Sequence, residues 1–170
     1  MAELDTRPEG FQRVAAALAA NAHPHRPLWL DVAARTAQEA ADALGVTLGQ
    51  IAKSVVFRVK ADGAADEAVL VITSGDKRVD EARLKPHTGT LGRADADFVK
   101  ARTGFSIGGV SPAGFAPADG AAPPRLFIDR ELFRFDIIWA AAGHPNGVFK
   151  LTPAELEKLT GAPVIDVVQA

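Results

Sequence analysis

Two runs of β-branched residues decide the fold, Lys53-Ser-Val-Val-Phe-Arg-Val-Lys60 and Glu67-Ala-Val-Leu-Val-Ile-Thr73. The segment between them, Ala61-Asp-Gly-Ala-Ala-Asp66, consists of small and turn-forming residues. Runs this rich in Val and Ile form strands, and a short connection that contains glycine joins neighbouring strands into a hairpin. The sequence therefore predicts a β-hairpin over residues 53–73.

Helical and strand-like patterns lie on both sides of this hairpin. Apolar residues at helical spacing, capping boxes and glycine stops predict helices at residues 8–20, 36–45, 80–86, 94–103 and 152–161. Short apolar runs predict strands at residues 28–32, 125–128, 136–141, 147–151 and 163–168. The strands outnumber the helices, and hairpins are as common as crossovers. The predicted fold class is therefore α/β of the mixed α+β type, with helices around one mixed, mostly antiparallel sheet.

Length and composition restrict the class of protein. A chain of 170 residues, 48% of them hydrophobic, suits one packed interior, and we expect a single domain over residues 1–170. The chain has no cysteine, no signal-peptide pattern and no apolar run of about 18 residues, so we expect a cytoplasmic protein that does not enter a membrane. The net charge of −2 argues against binding of duplex DNA, which needs a basic surface.

Lys53 stands at the head of the first run, directly after the apolar Ile51 and Ala52. A lysine at the start of a core strand can be a residue whose ammonium simply reaches out to water. It can also be a cation that grips a phosphate or a polarised carbonyl. Spacing alone favours the first interpretation and leaves the second open.

The stretch Phe105-Ser-Ile-Gly108-Gly109-Val110-Ser111-Pro112 is the most unusual part of the sequence. Adjacent glycines leave backbone N–H groups accessible and allow a ligand to approach closely. Such donors can stabilise the oxyanion that forms when water attacks an ester. A tight turn or a β-bulge is the structural alternative.

Three histidines lie in loops. His144, in Gly143-His144-Pro145-Asn146-Gly147, separates two predicted strands. It can orient water, move a proton or bind a substrate amine while neutral, or it can be an ordinary solvated residue. His23 and His25 lie two residues apart between prolines and have no third ligand nearby, so the sequence predicts no metal and no cofactor.

Gly104-Phe-Ser106-Ile-Gly108 also matches the nucleophile elbow of serine hydrolases, and Asp129 or Asp136 and then His144 follow in the required order. The elbow needs a strand before the serine and a helix after it. Here a helix is predicted before Ser106, and Gly109 and Pro112 oppose a helix after it. A serine esterase that uses Ser106 and His144 is therefore an alternative hypothesis, and it predicts that Ser106→Ala abolishes activity.

Taken together, five segments resemble the YbaK family, which includes the editing domain inserted in bacterial prolyl-tRNA synthetases and its freestanding relatives. In this order and spacing the segments are specific, and they span the chain from about residue 36 to residue 168. Residues 1–35 are covered least. The segments are TAQEAADALG at 36–45, QIAKSVVF at 50–57, GDKRVD at 75–80, FSIGGVSP at 105–112 and GHP at 143–145.

The resemblance implies an editing fold and a trans-editing aminoacyl-tRNA deacylase. Lys53 corresponds to a lysine that contacts the 3′ end of tRNA, Gly108 opens the GxxxP loop that shapes the pocket, and His144 resembles a histidine on a late turn. It implies the 3′ acceptor end of aminoacyl-tRNA as the partner and allows an aminoacyl-tRNA synthetase as another. The implied catalytic residues are Lys53, Gly108 and His144, and the implied substrate-binding residues are Thr36, Ser54, Gly75, Gly109, Val110, Ser111 and Pro112.

The chemistry of the substrate agrees with this reading. An aminoacyl ester is already activated, so a positioned water and donors for the oxyanion supply much of the catalysis and no covalent nucleophile is required. We expect a small amino acid such as Ala, Cys, Ser or Thr, carried on tRNA-Pro or a related tRNA. A nucleic-acid-binding module without chemistry and a non-catalytic partner that docks on a synthetase are the remaining alternatives.

Overall fold

The computed structural model describes residues 6–169, and the predicted hairpin forms its centre. Two 3₁₀ turns, Leu48–Gln50 and Arg130–Arg134, lie among the regular elements. The helices are α1 (Glu9–Ala20), α2 (Ala37–Leu44), α3 (Glu81–Thr88), α4 (Ala96–Thr103) and α5 (Pro153–Thr160). The strands are β1 (Leu28–Trp29), β2 (Ile51–Val59), β3 (Glu67–Ser74), β4 (Leu91–Arg93), β5 (Arg125–Asp129), β6 (Ile138–Ala141), β7 (Gly147–Leu151) and β8 (Val164–Ile165).

All of these strands belong to one mixed sheet in the order β1-β7-β6-β2-β3-β5-β8, with β4 attached to β2. The pairs β1–β7, β6–β7, β2–β3 and β2–β4 are antiparallel, whereas β2–β6, β3–β5 and β5–β8 are parallel. The predicted fold class is confirmed. β3 is buried along nearly its whole length because helices cover both faces of the sheet at this strand.

The sheet has an opening beside β2. On the edge of β2 that faces away from β3, Ile51 and Ala52 pair with β6, and pairing resumes only at Phe57 with β4. Among the described residues, the four at positions 53–56 therefore have no strand partner on this edge. Backbone N–H and C=O groups need partners, so such an opening is a natural place for water or a ligand.

The hydrophobic core lies on both faces of β3. On one face Leu70 and Ile72 pack with Phe11, Val14 and Leu18 of α1. On the other face Val69 and Val71 pack with Leu84 of α3. Because α1 supplies three buried side chains to the main cluster, the N-terminal helix is part of the same core as the sheet.

Helix α1 also approaches the 143–147 loop at the level of the backbone. A Cβ atom on Gly10 would clash with the carbonyl oxygen of Gly143, and a Cβ on Gly143 would clash with that of Gly10. Gly143 has a φ of +81°, which favours glycine in its own right. Two glycines facing each other thus allow α1 to hold this loop against the sheet.

Several predicted boundaries were wrong. The strand predicted at 28–32 ends at Trp29, because Leu30 and Ala34 bond to the turn at 145–146 instead of to a strand. The strand predicted at 163–168 keeps only β8, since the N–H of Val167 donates to the carboxylate of Asp129. The strand β4 and the 3₁₀ turn Arg130–Arg134 were not predicted. Within residues 6–169, no helix has the length and apolar character that crossing a membrane requires.

Candidate active site

A cavity of about 350 Å³ occupies the opening in the sheet. Its walls come from the unpaired stretch of β2, the end of β6, the N-terminus of α2 and the 105–112 loop. This volume lies at the lower end of the range for small-molecule sites. Of the predicted site residues, the cavity brings together Thr36, Lys53, Ser54, Gly108 and Val110.

Lys53 is half-buried at the head of the unpaired stretch, where it lies opposite Thr73 of β3. Burial and then the nearby Arg78 guanidinium lower the pKa of Lys53, while Asp76 acts in the opposite direction. Asp76 is itself engaged, since its carboxylate accepts a hydrogen bond from Arg134 at 2.9 Å. Lys53 is therefore a cation at the cavity to which no carboxylate of residues 6–169 is bonded.

Ser54 follows Lys53 in the wall of the cavity. Its Oγ is buried and has no hydrogen-bond partner among the described residues. Buried hydroxyl groups are normally bonded, so an unpaired one beside a cavity is a point at which a bound polar group can gain a hydrogen bond.

Arg35 is a cavity residue that the sequence analysis did not identify. It directly precedes Thr36, which caps α2 in the predicted capping box with Glu39. The side chain of Arg35 passes over Gly108, where a Cβ would lie 3.5 Å from Arg35 Cγ. A cation just before a helix N-terminus, where the helix dipole favours negative charge, is the signal that could have singled it out.

The glycine-rich loop forms a tight turn in which only one of the two glycine amides is used. The N–H of Gly109 donates to the carbonyl of Ser106 at 3.1 Å, and Gly108 has a φ of +96°, as in type II turns. The expectation that both glycine amides are exposed was therefore wrong for Gly109. Among the described residues, the N–H groups of Gly108 and Val110 donate to no protein acceptor, and both residues line the cavity.

Gly109 has a different task, because it lies directly against the backbone of His144. A Cβ on Gly109 would lie 2.9 Å from both N and Cα of His144. The absence of a side chain at Gly109 thus allows the 105–112 loop to pack on the 143–147 loop. His144 itself is beside the cavity and is not among the residues that line it.

The ring of His144 is held in one orientation. It stacks on Trp29 with 4.9 Å between ring centroids, and its Nδ1 accepts a hydrogen bond from the N–H of Asn146 at 3.1 Å. Burial and the positive charge of Arg35 lower the pKa of His144, so the neutral ring is favoured. Because Nδ1 is the acceptor, the neutral ring carries its proton on Nε2 and acts as a hydrogen-bond donor there.

Three further predicted residues do not line the cavity. Gly75 packs under Leu48, where a Cβ would meet the carbonyl oxygen of that residue. Ser111 is fully buried, and its Oγ accepts a hydrogen bond from the N–H of Ala113 at 3.3 Å. Pro112 is buried in the same segment. These contacts are packing contacts, and the predicted contact of Gly75, Ser111 and Pro112 with substrate stays a prediction.

The geometry of a nucleophile elbow is absent around Ser106. Helix α4 ends at Thr103, and residues 105–124 contain neither strand nor helix. Ser106 is exposed and outside the cavity, and the buried carboxylate of Asp129 is used to cap the turn at Glu131. Within residues 6–169, no group of three or more His, Asp or Glu side chains could hold a metal ion.

Comparison with known proteins identifies this architecture. The family described as "Aminoacyl-tRNA editing domain" matches residues 31–159. The uncharacterized protein YwhH of Bacillus subtilis (strain 168) is 34% identical over 139 residues, which make up 81% of this chain and 83% of that protein. The multifunctional Ser/Thr-tRNA deacylase ProXp-y of Escherichia coli (strain K12) is 36% identical over 102 residues, 58% of each chain.

Solved structures agree with the sequence matches. A crystal structure of a proposed trans-editing enzyme for prolyl tRNA synthetase superimposes with a TM-score of 0.84 at 36% sequence identity. The superposition covers 97% of this chain and 100% of that chain. The family match extends from the segment before α2 into the last turn of α5, and so includes every residue that lines the cavity. The chain belongs to the aminoacyl-tRNA editing domain family.

Proposed function

We propose that the protein is a trans-editing aminoacyl-tRNA deacylase that hydrolyses the ester between a small amino acid and the 3′-terminal ribose of tRNA. The observation that carries the proposal is that Lys53, Gly108 and Val110 line one cavity in a chain of the editing family, and that the N–H groups of Gly108 and Val110 donate to no acceptor among the described residues. We place the reaction in the cytoplasm, where charged tRNA is used, with the acceptor end of aminoacyl-tRNA as the partner.

In the proposed reaction a water molecule attacks the ester carbonyl. A bond forms between the water oxygen and the carbonyl carbon, and the bond from that carbon to the ribose oxygen breaks. A proton of the attacking water is transferred to the ribose oxygen. The N–H groups of Gly108 and Val110 are the donors available for the developing oxyanion. Lys53 binds a phosphate or polarises the carbonyl, and the neutral His144 ring donates from Nε2 to the water or to a ribose hydroxyl.

The cavity favours a small acyl group. Most of its wall consists of short aliphatic side chains, and none of the described residues that line it carries a carboxylate. Recognition of the amino acid therefore depends on size and on the few polar groups of the wall, such as Ser54. A pocket of this kind separates substrates that differ by one methylene by only about 1–3 kcal/mol. The short aliphatic side chains are those of Ala34, Ala37, Ala40, Ala52, Val55, Val56, Ala94, Val99, Val110, Ala140, Ala141 and Val148.

The proposal is tested with a panel of tRNAs charged with Ala, Cys, Ser or Thr on tRNA-Pro and on related tRNAs. The wild-type protein should release at least one of these amino acids well above the spontaneous rate, and Ser106→Ala should do so within about twofold of wild type because Ser106 lies outside the cavity. Loss of activity in Ser106→Ala alone would support the serine esterase. Binding of tRNA without release of any amino acid would support the module without chemistry.

The acid limb of the pH profile should report His144. Burial and then Arg35 disfavour the protonated ring and lower the pKa of His144, so the ring stays neutral at lower pH than that of an ordinary histidine. Protonation at Nδ1 would displace the bond from Asn146, so deacylation should fall as the pH drops through the lowered pKa. In Arg35→Gln one of the two causes is gone, and the acid limb should move to higher pH.

This shift is measured as kcat/KM against pH after the spontaneous rate has been subtracted. The matched control is Arg130→Gln, which removes an equal charge from an exposed arginine whose partner is Asp166. The limb of this control should coincide with that of the wild type. If the acid limb of the Arg35→Gln profile coincided with that of the wild type or moved to lower pH, Arg35 would not lower the pKa of His144 as we expect.

A further inference from the structure

A second and larger concavity lies next to the candidate active site. It is a groove of about 860 Å³ between α1 and the segment of residues 23–29, and we name it the N-terminal groove. Its members include Arg7, Phe11 and Trp29 together with His25 and Arg26. None of the described residues that line it carries a carboxylate.

The N-terminal groove is a local exception in an acidic protein. The whole chain has a net charge of −2, yet this surface presents two arginines and two histidines, His23 and His25, without a counter-ion in the wall. Arg26 is exposed and forms no ion pair or hydrogen bond with the described part of the chain. A cation that the fold does not neutralise is available to an anionic partner.

Aromatic rings form the part of the groove that is nearest to the cavity. Phe11 meets Trp29 edge to face with 5.3 Å between centroids, and the guanidinium of Arg7 lies 4.4 Å from the centre of the Trp29 ring. The same Trp29 ring stacks on His144, whose backbone packs on Gly109 of the cavity loop. The groove is thus connected to the candidate active site through Trp29.

A positively charged groove is the feature that follows the backbone of single-stranded nucleic acid, because its phosphates meet the cations. We propose that the N-terminal groove holds the RNA strand that leads to the 3′-terminal nucleotide, with Arg7 and Arg26 on its phosphates. This inference rests on the proposed function, since it takes the occupant of the cavity to be the aminoacylated end of that strand.

The first test measures binding without chemistry. The probe is an uncharged, fluorescently labelled RNA hairpin with the tRNA acceptor stem and a single-stranded 3′ end, titrated by anisotropy at several KCl concentrations. Arg26→Gln and the double variant Arg7→Gln/Arg26→Gln should weaken binding by about threefold and about tenfold. In the double variant the slope of log Kd against log salt should fall by about one unit or more.

The matched control is the double variant Arg125→Gln/Arg130→Gln. It removes the same charge from two arginines of the opposite part of the sheet, whose carboxylate partners are Glu67 and Asp166. This control should bind the hairpin as the wild type does. The inference would be overturned if the groove variants bound the hairpin as tightly as the wild type, or if the control variant lost as much affinity as the groove variants. It would also be overturned if the groove bound peptides and its arginine substitutions left the affinity for RNA unchanged.

The second test separates this inference from the proposed function. With an aminoacylated hairpin, the groove variants should show a raised KM and a kcat close to that of wild type. With aminoacyl-adenosine, which has no upstream phosphate, they should match wild type. If wild type releases no amino acid but binds the hairpin through Arg7 and Arg26, the deacylase proposal fails and the groove stands. If the wild type hydrolyses the ester and the groove variants have the same KM as the wild type, the inference about the N-terminal groove fails and the deacylase proposal is unaffected.

Discussion

Replacing Lys53 with alanine should lower kcat/KM for deacylation of the best substrate by about 10²–10³-fold, the loss seen when one preorganised stabilising group is removed from an active site. Lys53 is the cation in the unpaired stretch of β2, and its partial burial makes the charge more effective there than in water. Single-turnover deacylation of mischarged tRNA, with enzyme in excess, measures the change directly.

Two companion variants make the Lys53 result specific. Lys60→Ala removes an exposed lysine just beyond the far end of the same strand and should keep wild-type activity, since Lys60 contacts Asp66 and not the cavity. Lys53→Arg keeps the charge but changes its shape, and should restore part of the lost activity. Retention of full activity in Lys53→Ala, with a normal unfolding transition, would remove this lysine from the mechanism.

Gly109→Ala should have the second-largest effect. The new Cβ would lie 2.9 Å from backbone atoms of His144, and neither loop can yield by rotating a side chain. The 105–112 loop must therefore move away from the 143–147 loop, which displaces the amides of Gly108 and Val110. A displacement of about 1 Å in a positioning element can cost about 10²-fold in rate. Overpacking should also lower the free energy of unfolding by about 1–3 kcal/mol.

Gly161→Ala is the control that separates activity from stability. Gly161 ends α5 with a φ of +66° and has no atom within 4 Å of the position of a Cβ, so the substitution only strains the backbone. It should lower the free energy of unfolding by about 1–2 kcal/mol and leave the deacylation rate of the folded protein intact. If Gly109→Ala and Gly161→Ala lose activity to the same degree, the loop contact has no special role.

Local signals in the sequence were sufficient for most of the fold. The capping boxes at Thr36 and Thr152 begin α2 and α5, and the β-branched runs form β2 and β3. The family resemblance is confirmed by the match over residues 31–159. Failures occurred where a distant partner decides, as at residues 30–34, which bond to the 145–146 turn rather than extend β1. Strand propensity cannot foresee such a competitor.

Single residues of the candidate site could be predicted from the sequence, but the cavity that they line could not. The sequence singled out Lys53 and Gly108, yet the opening between β6 and β4 depends on which strands pair with β2, and pairing is a tertiary property. β4 has three residues, too few for a periodic pattern to reveal. Arg35 was missed because its position before the N-terminus of α2 is the one local signal, and its contact with Gly108 arises only in the fold.

The contact between Gly10 and Gly143 means that the folding unit of this chain begins before the segment that matches the family. The family match begins at residue 31. A chain that began there would lack α1, which packs on the 143–147 loop, and the core would lack Phe11, Val14 and Leu18. The shared segment is therefore no self-sufficient module. The solved trans-editing structure superimposes on 97% of this chain, so its similarity extends over most of this N-terminal support as well.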